Sequence, residues 1–140
     1  AGCIDERADL SPIRSVSAGT LVLDLAGVTR INSVGVREWI KAMKGFPSTV
    51  SVTWVNVAEC LVAQLSMIAN FSGPARIATF FAPYFCDDCG HEERHLMTVA
   101  EVSTSATAPA QSCGICGAQM AFDDIEEDYL GAIIHVTAAA

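Results

Sequence analysis

Six cysteines stand in this chain of 140 residues, and four of them form two CxxC pairs, Cys86-Asp87-Asp88-Cys89 and Cys113-Gly114-Ile115-Cys116. A glycine follows each pair, Gly90 and Gly117. A CxxC turn presents two thiolates to one ion, and the glycine relieves the tight backbone that this demands. Two such turns supply the four soft ligands that zinc takes at tetrahedral corners. The reading is one structural Zn2+ on Cys86, Cys89, Cys113 and Cys116, with no open coordination position, in a reducing compartment. The 23 residues between Cys89 and Cys113 slightly exceed the usual span, which a hairpin and a polar loop absorb. CDDCGHEERH also offers His91 and His95 as nitrogen ligands, but that choice leaves the second CxxC pair without a role. Two unrelated disulfides or free thiols are the alternative; a redox dithiol explains one pair and not two.

The other residue whose placement suggests chemistry is Ser33, in the stretch RINSVGVREW from Arg30 to Trp39. It falls where a strand ends and a helix begins, and a helix N-terminus favours negative charge through its free N–H groups and dipole. A phosphate on Ser33 would be well placed there, with Arg30 and Arg37 as nearby cations. Asn32 and Ser33 are also both good helix caps, and capping does not exclude phosphorylation. Nothing resembles catalytic machinery: no nucleophile has an adjacent base, no glycine-rich phosphate loop is present, and the histidines are scattered, so the chain reads as non-enzymatic. The acidic run from Asp123 to Asp128 reads as a helix start with a solvated face. Cys3 and Cys60 read as small buried hydrophobes, and His135 as a surface or satisfied histidine.

These residues need elements to position them. Glu6–Val16 suggests a short helix weakened by Pro12. Thr20–Leu25 is a continuous apolar run of the kind buried on both faces, a central strand. Val36, Trp39, Ile40 and Met43 form one helical stripe, which Gly45 and Pro47 end. Val50–Val57 alternates as a second strand, Ala58–Ala69 follows as a helix with Leu61, Leu65 and Ile68 on one side, and Arg76–Ala82 is a third strand. Strand and helix alternating at this spacing imply parallel crossovers and an α/β sheet. After Cys86 the period breaks into a short strand candidate, Leu96–Val102, and a polar loop, Ser103–Ser112. A last helix starts after Phe122, with Asp123 and Glu126 as a capping box and Ile125, Tyr129 and Ile133 as its stripe.

Charge is uneven along the chain. Residues 1–85 carry seven Lys or Arg against six Asp or Glu, whereas residues 86–140 carry Arg94 alone against ten acids. Phosphate backbones are bound by cationic surfaces, so nucleic acid is excluded as the expected partner and a basic protein is favoured for the acidic end. No apolar window is long enough for a membrane span, although half of the chain is hydrophobic, at 51%. A chain that opens on Ala1 without the order of a secretory signal reads as processed or trimmed at its start, and as cytoplasmic.

The order of elements, with LVLDLAGVTRINSVGVREWI from Leu21 to Ile40 and GCIDERADL from Gly2 to Leu10, resembles the STAS domain, the fold of bacterial anti-sigma factor antagonists. The resemblance covers about residues 2–82 and the final helix. In those antagonists a D-S-S/T-G stretch opens a helix, and its serine is phosphorylated by a partner kinase that is also an anti-sigma factor. Ser33 and Gly35 match the serine and glycine, while Asn32 and Val34 replace the acid and the second hydroxyl residue. The resemblance implies a STAS-like α/β body over 1–85 with a mainly parallel or mixed sheet, a zinc-ribbon insertion over 86–122 that is not usual in the family, and a helix over 123–137 returning to the body. It also implies a bacterial protein-interaction module whose partner is an anti-sigma factor, a kinase or an assembly component. The family's sheet usually has one more strand ahead of Ala1, and an edge left without it would invite self-association. A self-assembling scaffold and a ribbon-based nucleic-acid-associated protein are the alternatives.

Overall fold

The computed structural model describes residues 2–5, 9–68, 70–102 and 107–139. Its first elements are β1 (Gly2–Ile4), α1 (Ser11–Arg14), β2 (Gly19–Asp24), β3 (Val28–Ile31), α2 (Ser33–Lys44), β4 (Val50–Val55) and α3 (Glu59–Met67). Then come β5 (Arg76–Ile77), β6 (Thr79–Phe85), β7 (Glu92–Thr98), α4 (Val99–Val102), β8 (Ala121–Phe122) and α5 (Glu126–Ala139). The fold is mixed α/β. β2, β4 and β5 form a parallel sheet in that order, β1 pairs with β3 in parallel, and β7, β6 and β8 form an antiparallel sheet in that order.

The centre of the three-stranded parallel sheet is β4, where Val50, Val52 and Trp54 alternate into the core. β2 lies at its edge and not, as its apolar run suggests, at its centre. Leu21 and Leu23 are half-buried, but Val22 points the other way and is 55% exposed, so one face of this strand is left uncovered. The run expected over Arg76–Ala82 is split between two sheets. Ile77 pairs beside Trp54, the N–H of Ala78 donates to the Trp54 carbonyl, and the chain then leaves for an antiparallel hairpin with β7. A bridge between Val57 and Phe80 joins the two sheets.

Three aromatic rings from the alternating segment fill the first core. Trp39 of α2 meets Trp54 edge-on at 5.5 Å, and Phe71 packs on both, at 6.3 Å and 6.2 Å. All three are essentially buried. A second chain of rings ties the antiparallel sheet to α5: Tyr84 to Phe122 at 5.5 Å, then Phe122 to Tyr129 at 5.4 Å. One continuous hydrophobic cluster runs from Ile4 to Ile133 and includes Cys86, Cys113 and Met120, so the cysteine module shares the body's core.

Local signals explain where several elements begin. The helix expected over Glu6–Val16 is only Ser11–Arg14, with Pro12 in its first turn and the Asp9 carboxylate accepting the Ser11 N–H; residues 6–8 lie outside the described ones. Of the strand candidate Leu96–Val102, the part after Thr98 is helical. Thr98 and Glu101 exchange side-chain-to-backbone bonds, a capping box that stops β7 and starts α4. α5 begins at Glu126 and not at an Asp123 cap: the Asp123 N–H donates to the Pro83 carbonyl of β6, and the Glu126 carboxylate accepts the Ala108 N–H. Its buried stripe is Tyr129, Leu130 and Ile133, and Ile125 is 64% exposed, off the stripe. The helix continues past 137 to Ala139. The loop expected over Ser103–Ser112 is irregular where described, from Thr107 onward; 103–106 lie outside the described residues.

The strand-to-helix turn around Ser33 is set by two neighbours. Asn32 is the cap, its side-chain oxygen accepting the Gly35 N–H at 2.8 Å, and Ser33 is the first helical residue, exposed. Gly35 lies under β1, where an added Cβ would fall 1.9 Å from the Ile4 carbonyl oxygen. That approach lets the Asn32 N–H donate to the same carbonyl at 3.1 Å. Gly35→Ala will therefore push β1 off α2 and destabilise by about 1–3 kcal/mol or more in chemical denaturation. Asn32→Ala will cost about 1 kcal/mol as a lost cap, whereas Ser33→Ala will stay within about 0.5 kcal/mol. Equal losses for Asn32→Ala and Ser33→Ala would show that the cap is shared.

Candidate metal centre

The first CxxC turn closes the β6–β7 hairpin. The Cys86 carbonyl accepts the Gly90 N–H at 2.8 Å, and the Cys86 N–H donates to the His91 carbonyl at 2.8 Å. The second turn repeats the pattern residue for residue: the Cys113 carbonyl accepts from Gly117 at 2.9 Å, and the Cys113 N–H donates to Ala118 at 2.7 Å. Each is a knuckle four residues deep, and its last residue must reverse the chain. Gly90 and Gly117 do so at φ of 76° and 79°, in the left-handed region that favours glycine. Open space surrounds both positions, so the requirement is conformational and not steric.

The knuckles face each other, and the four sulfur atoms lie within 4.8 Å of one another. Cys86 Sγ is 3.4 Å from Cys116 Sγ, and Cys89 Sγ is 3.6 Å from Cys113 Sγ, each pair bridging the two turns. A metal–sulfur bond of about 2.3 Å places tetrahedral corners about 3.8 Å apart, which this set matches. Cys86 and Cys113 are buried on the core side, while Cys89 and Cys116 are exposed. Cys86, Cys89, Cys113 and Cys116 could hold one metal ion, and they are the cluster of possible ligands found among the described residues.

Electrostatics within the cluster favour a cation. The N–H of Cys116 and then that of Ile115 hold the Cys113 thiol down to about 6. At Cys89 the His91 N–H acts in the lowering sense, but desolvation and the Cys113, Cys86 and Cys116 thiols outweigh it and push the group up to about 12. Backbone N–H groups thus prepare one thiolate, and that charge discourages the next ionisation nearby. A divalent ion removes the conflict.

His91 and His95 are not ligands in this arrangement. Both turn to Glu93: His91 Nε2 lies 3.2 Å from Glu93 Oε2, and His95 Nε2 lies 2.9 Å from Glu93 Oε1. The Glu93 carboxylate also accepts the Gly114 N–H at 2.8 Å, and this bond, ahead of the two imidazoles, lowers its pKa. Sequence reasoning passed over Glu93, although residues 91, 93 and 95 share one face of an extended chain and that period was there to read.

The remaining cysteines are half-buried, Cys60 packs against the core, and both also make polar contacts. Half-buried Cys3 accepts from Arg30 Nε at 3.4 Å and Nη2 at 3.3 Å, and Cys60 donates to the Val28 carbonyl at 3.6 Å. Arg30 is thus engaged with Cys3 beside the Ser33 turn. Ser33 follows β3, which pairs with β1, whereas the first knuckle joins β6 and β7 of another sheet. A cleft of about 490 Å³ opens between β1, α1 and the end of β2, with Trp39 among its lining residues. His135 is exposed on α5. No helix among the described residues is long and apolar enough to cross a membrane.

Comparison with family models, with curated proteins and with solved structures finds no match for this chain.

One metal ion per chain is the expected stoichiometry in elemental analysis, and Cys86→Ser or Cys113→Ser, which removes a buried ligand, will lower it toward zero. Metal affinity will fall as pH drops from 7.5 to about 5.5, because protons compete for thiolates that the ion must hold deprotonated. Chelator competition at the two pH values measures this, and equal affinities at both would argue against thiolate ligation.

Proposed function

We propose that this protein is a non-enzymatic protein-interaction module of STAS type, bacterial and cytoplasmic, stiffened by one structural zinc ion. The observation that carries the reading is the convergence of four thiols from two matched knuckles, a closed ligand set that holds a fold together and leaves no position for a substrate. Iron takes the same tetrahedral sulfur set, and its visible thiolate-to-metal absorption would replace zinc in this proposal.

The interaction half of the proposal rests on the first turn of α2. Asn32 supplies the cap, which leaves Ser33 exposed at the first helical position. A phosphate there would sit among first-turn N–H groups at the positive end of a helix of 12 residues. Gly35 under the Ile4 carbonyl gives the family's glycine a steric reason in this chain. The proposed partner is an anti-sigma factor or kinase of the kind that STAS antagonists meet. A second reading, self-assembly, is favoured by sheet edges: β2 and β7 both end their sheets and carry exposed Val22 and Leu96.

The test is a pull-down from a bacterial lysate with wild-type, Ser33→Ala and Ser33→Asp proteins, read by mass spectrometry. A partner lost with Ser33→Asp alone supports a phosphoswitch, and identical partners for all three remove it. Light scattering across concentrations addresses the second reading, which a strict monomer would sink.

A further inference from the structure

We infer that Glu93 is the positioning residue of the metal centre, the group that holds the second knuckle in register with the first so that the four thiols converge. The inference rests on the metal reading above and extends it to a residue that binds no metal itself.

The knuckles come from two separate stretches of chain. Cys86 and Cys89 are fixed by the β6–β7 hairpin, whose register runs unbroken from Thr79–Thr98 to Phe85–Glu92. Cys113 and Cys116 return only after the long connection that follows α4, and their own knuckle is closed internally, by the Cys113 bonds and the Ser112–Gln119 bridge. β8, which follows this knuckle, pairs with Tyr84 and Phe85 of β6 next to Cys86 and brings the second knuckle near the first, but that ladder stops at Ala121 and pairs none of 113–117. Glu93 adds the direct bond to the second turn itself. It stands on β7, its side chain 19% exposed, and its Oε2 accepts the N–H of Gly114, the residue directly after Cys113.

The fit is close. A Cβ at Gly114 would lie 3.0 Å from Glu93 Oε2, so a side chain there would press on the acceptor. The carboxylate is itself held in place from both sides, by His91 next to the first knuckle and by His95 on the strand. His95 in turn stands edge-on to Tyr84 at 5.2 Å, and Tyr84 donates to the Pro109 carbonyl at 2.7 Å, on the approach to the second knuckle. Glu93 is thus oriented by residues of the hairpin and acts on a backbone donor of the other knuckle. Groups hydrogen-bonded around a ligand set orient it before the ion arrives, and their loss typically weakens metal binding on the order of 10–100-fold.

The experiment compares zinc-loaded wild type, Glu93→Ala and Glu93→Gln by transfer of the ion to a chromogenic chelator. Cobalt(II)-loaded samples report ligand geometry by their visible ligand-field bands. The expected result is transfer on the order of 10–100-fold more favourable from Glu93→Ala, with shifted or broadened cobalt bands. Glu93→Gln keeps an acceptor oxygen but loses the charge-assisted bond, and falls between the two. If Glu93→Ala does not fold, Glu93→Gln decides alone: weaker zinc retention than wild type supports the inference, and equal retention overturns it. Wild-type retention and cobalt bands in both variants would overturn the positioning role and leave the metal centre standing. A wild-type protein that takes up neither zinc nor cobalt would overturn the metal reading itself.

Discussion

Four sulfur atoms within 4.8 Å of one another set the terms for everything after Phe85. Thiols packed this closely cannot all ionise unless a cation shares their charge, and they cannot spread apart without opening the knuckles that carry them. Cys86 and Cys113 also belong to the hydrophobic cluster, so opening the site would expose core surface. The local arrangement therefore couples two costs that are usually separate, charge repulsion at the rim and loss of packing beneath it. The antiparallel sheet and the long connection between the knuckles both depend on that junction.

The junction is packed onto the α/β body through rings. Tyr84 packs on His95 and on Phe122, and Phe122 packs on Tyr129 of α5. Burial pushes the Tyr84 phenol up to about 12, so it remains a protonated donor to Pro109 at any physiological pH. Burial likewise pushes Tyr129 up, and its hydroxyl donates to the Phe81 carbonyl. Each phenol joins an apolar ring in the core to a backbone acceptor at its edge. Arg94 covers the opposite face of the hairpin, 3.7 Å from the Phe81 ring and bonded to Glu59 of α3. The hairpin is thus fastened to α3 and to α5 as well as by chain connection.

How much of this was legible in the sequence depends on whether the signal was local. The four cysteines could be read outright, because CxxC spacing and the following glycine encode the knuckle without reference to anything distant. α2 and β4 were legible from their periods for the same reason. β3 was missed because Thr29 and Arg30 interrupt it within four residues. The split at Ala78 was invisible because Arg76–Ala82 is one unbroken run, and only the pairing of Ile77 with Trp54 and of Thr79 with Thr98 divides it. β2 was placed at the centre because an apolar run states hydrophobicity and not which neighbours will cover it. The cap was ambiguous by one residue, since Asn32 and Ser33 are equally suited, and the backbone angle at Asn32 settled it.

The two halves also differ in what holds their special residues in place. At the α2 turn the constraint is steric: Gly35 is required because the Ile4 carbonyl occupies the space of a side chain. At Gly90 and Gly117 no neighbour stands within 4 Å, and the constraint is the backbone angle alone. A steric requirement ties one element to another and is felt across the fold, whereas a conformational one is satisfied inside its own turn. The knuckles are therefore self-contained turns, as their matching hydrogen bonds indicate, and their separation is set from outside them, by the β6–β8 ladder, by the packing of Cys86 and Cys113 in the core and by the Glu93–Gly114 bond. The turn beneath β1 is placed by the contact of Gly35 with Ile4 and by the Asn32 N–H bond to the same carbonyl. The first half thus presents Ser33 on a capped helix, while the second joins core packing to polar contacts around its thiols.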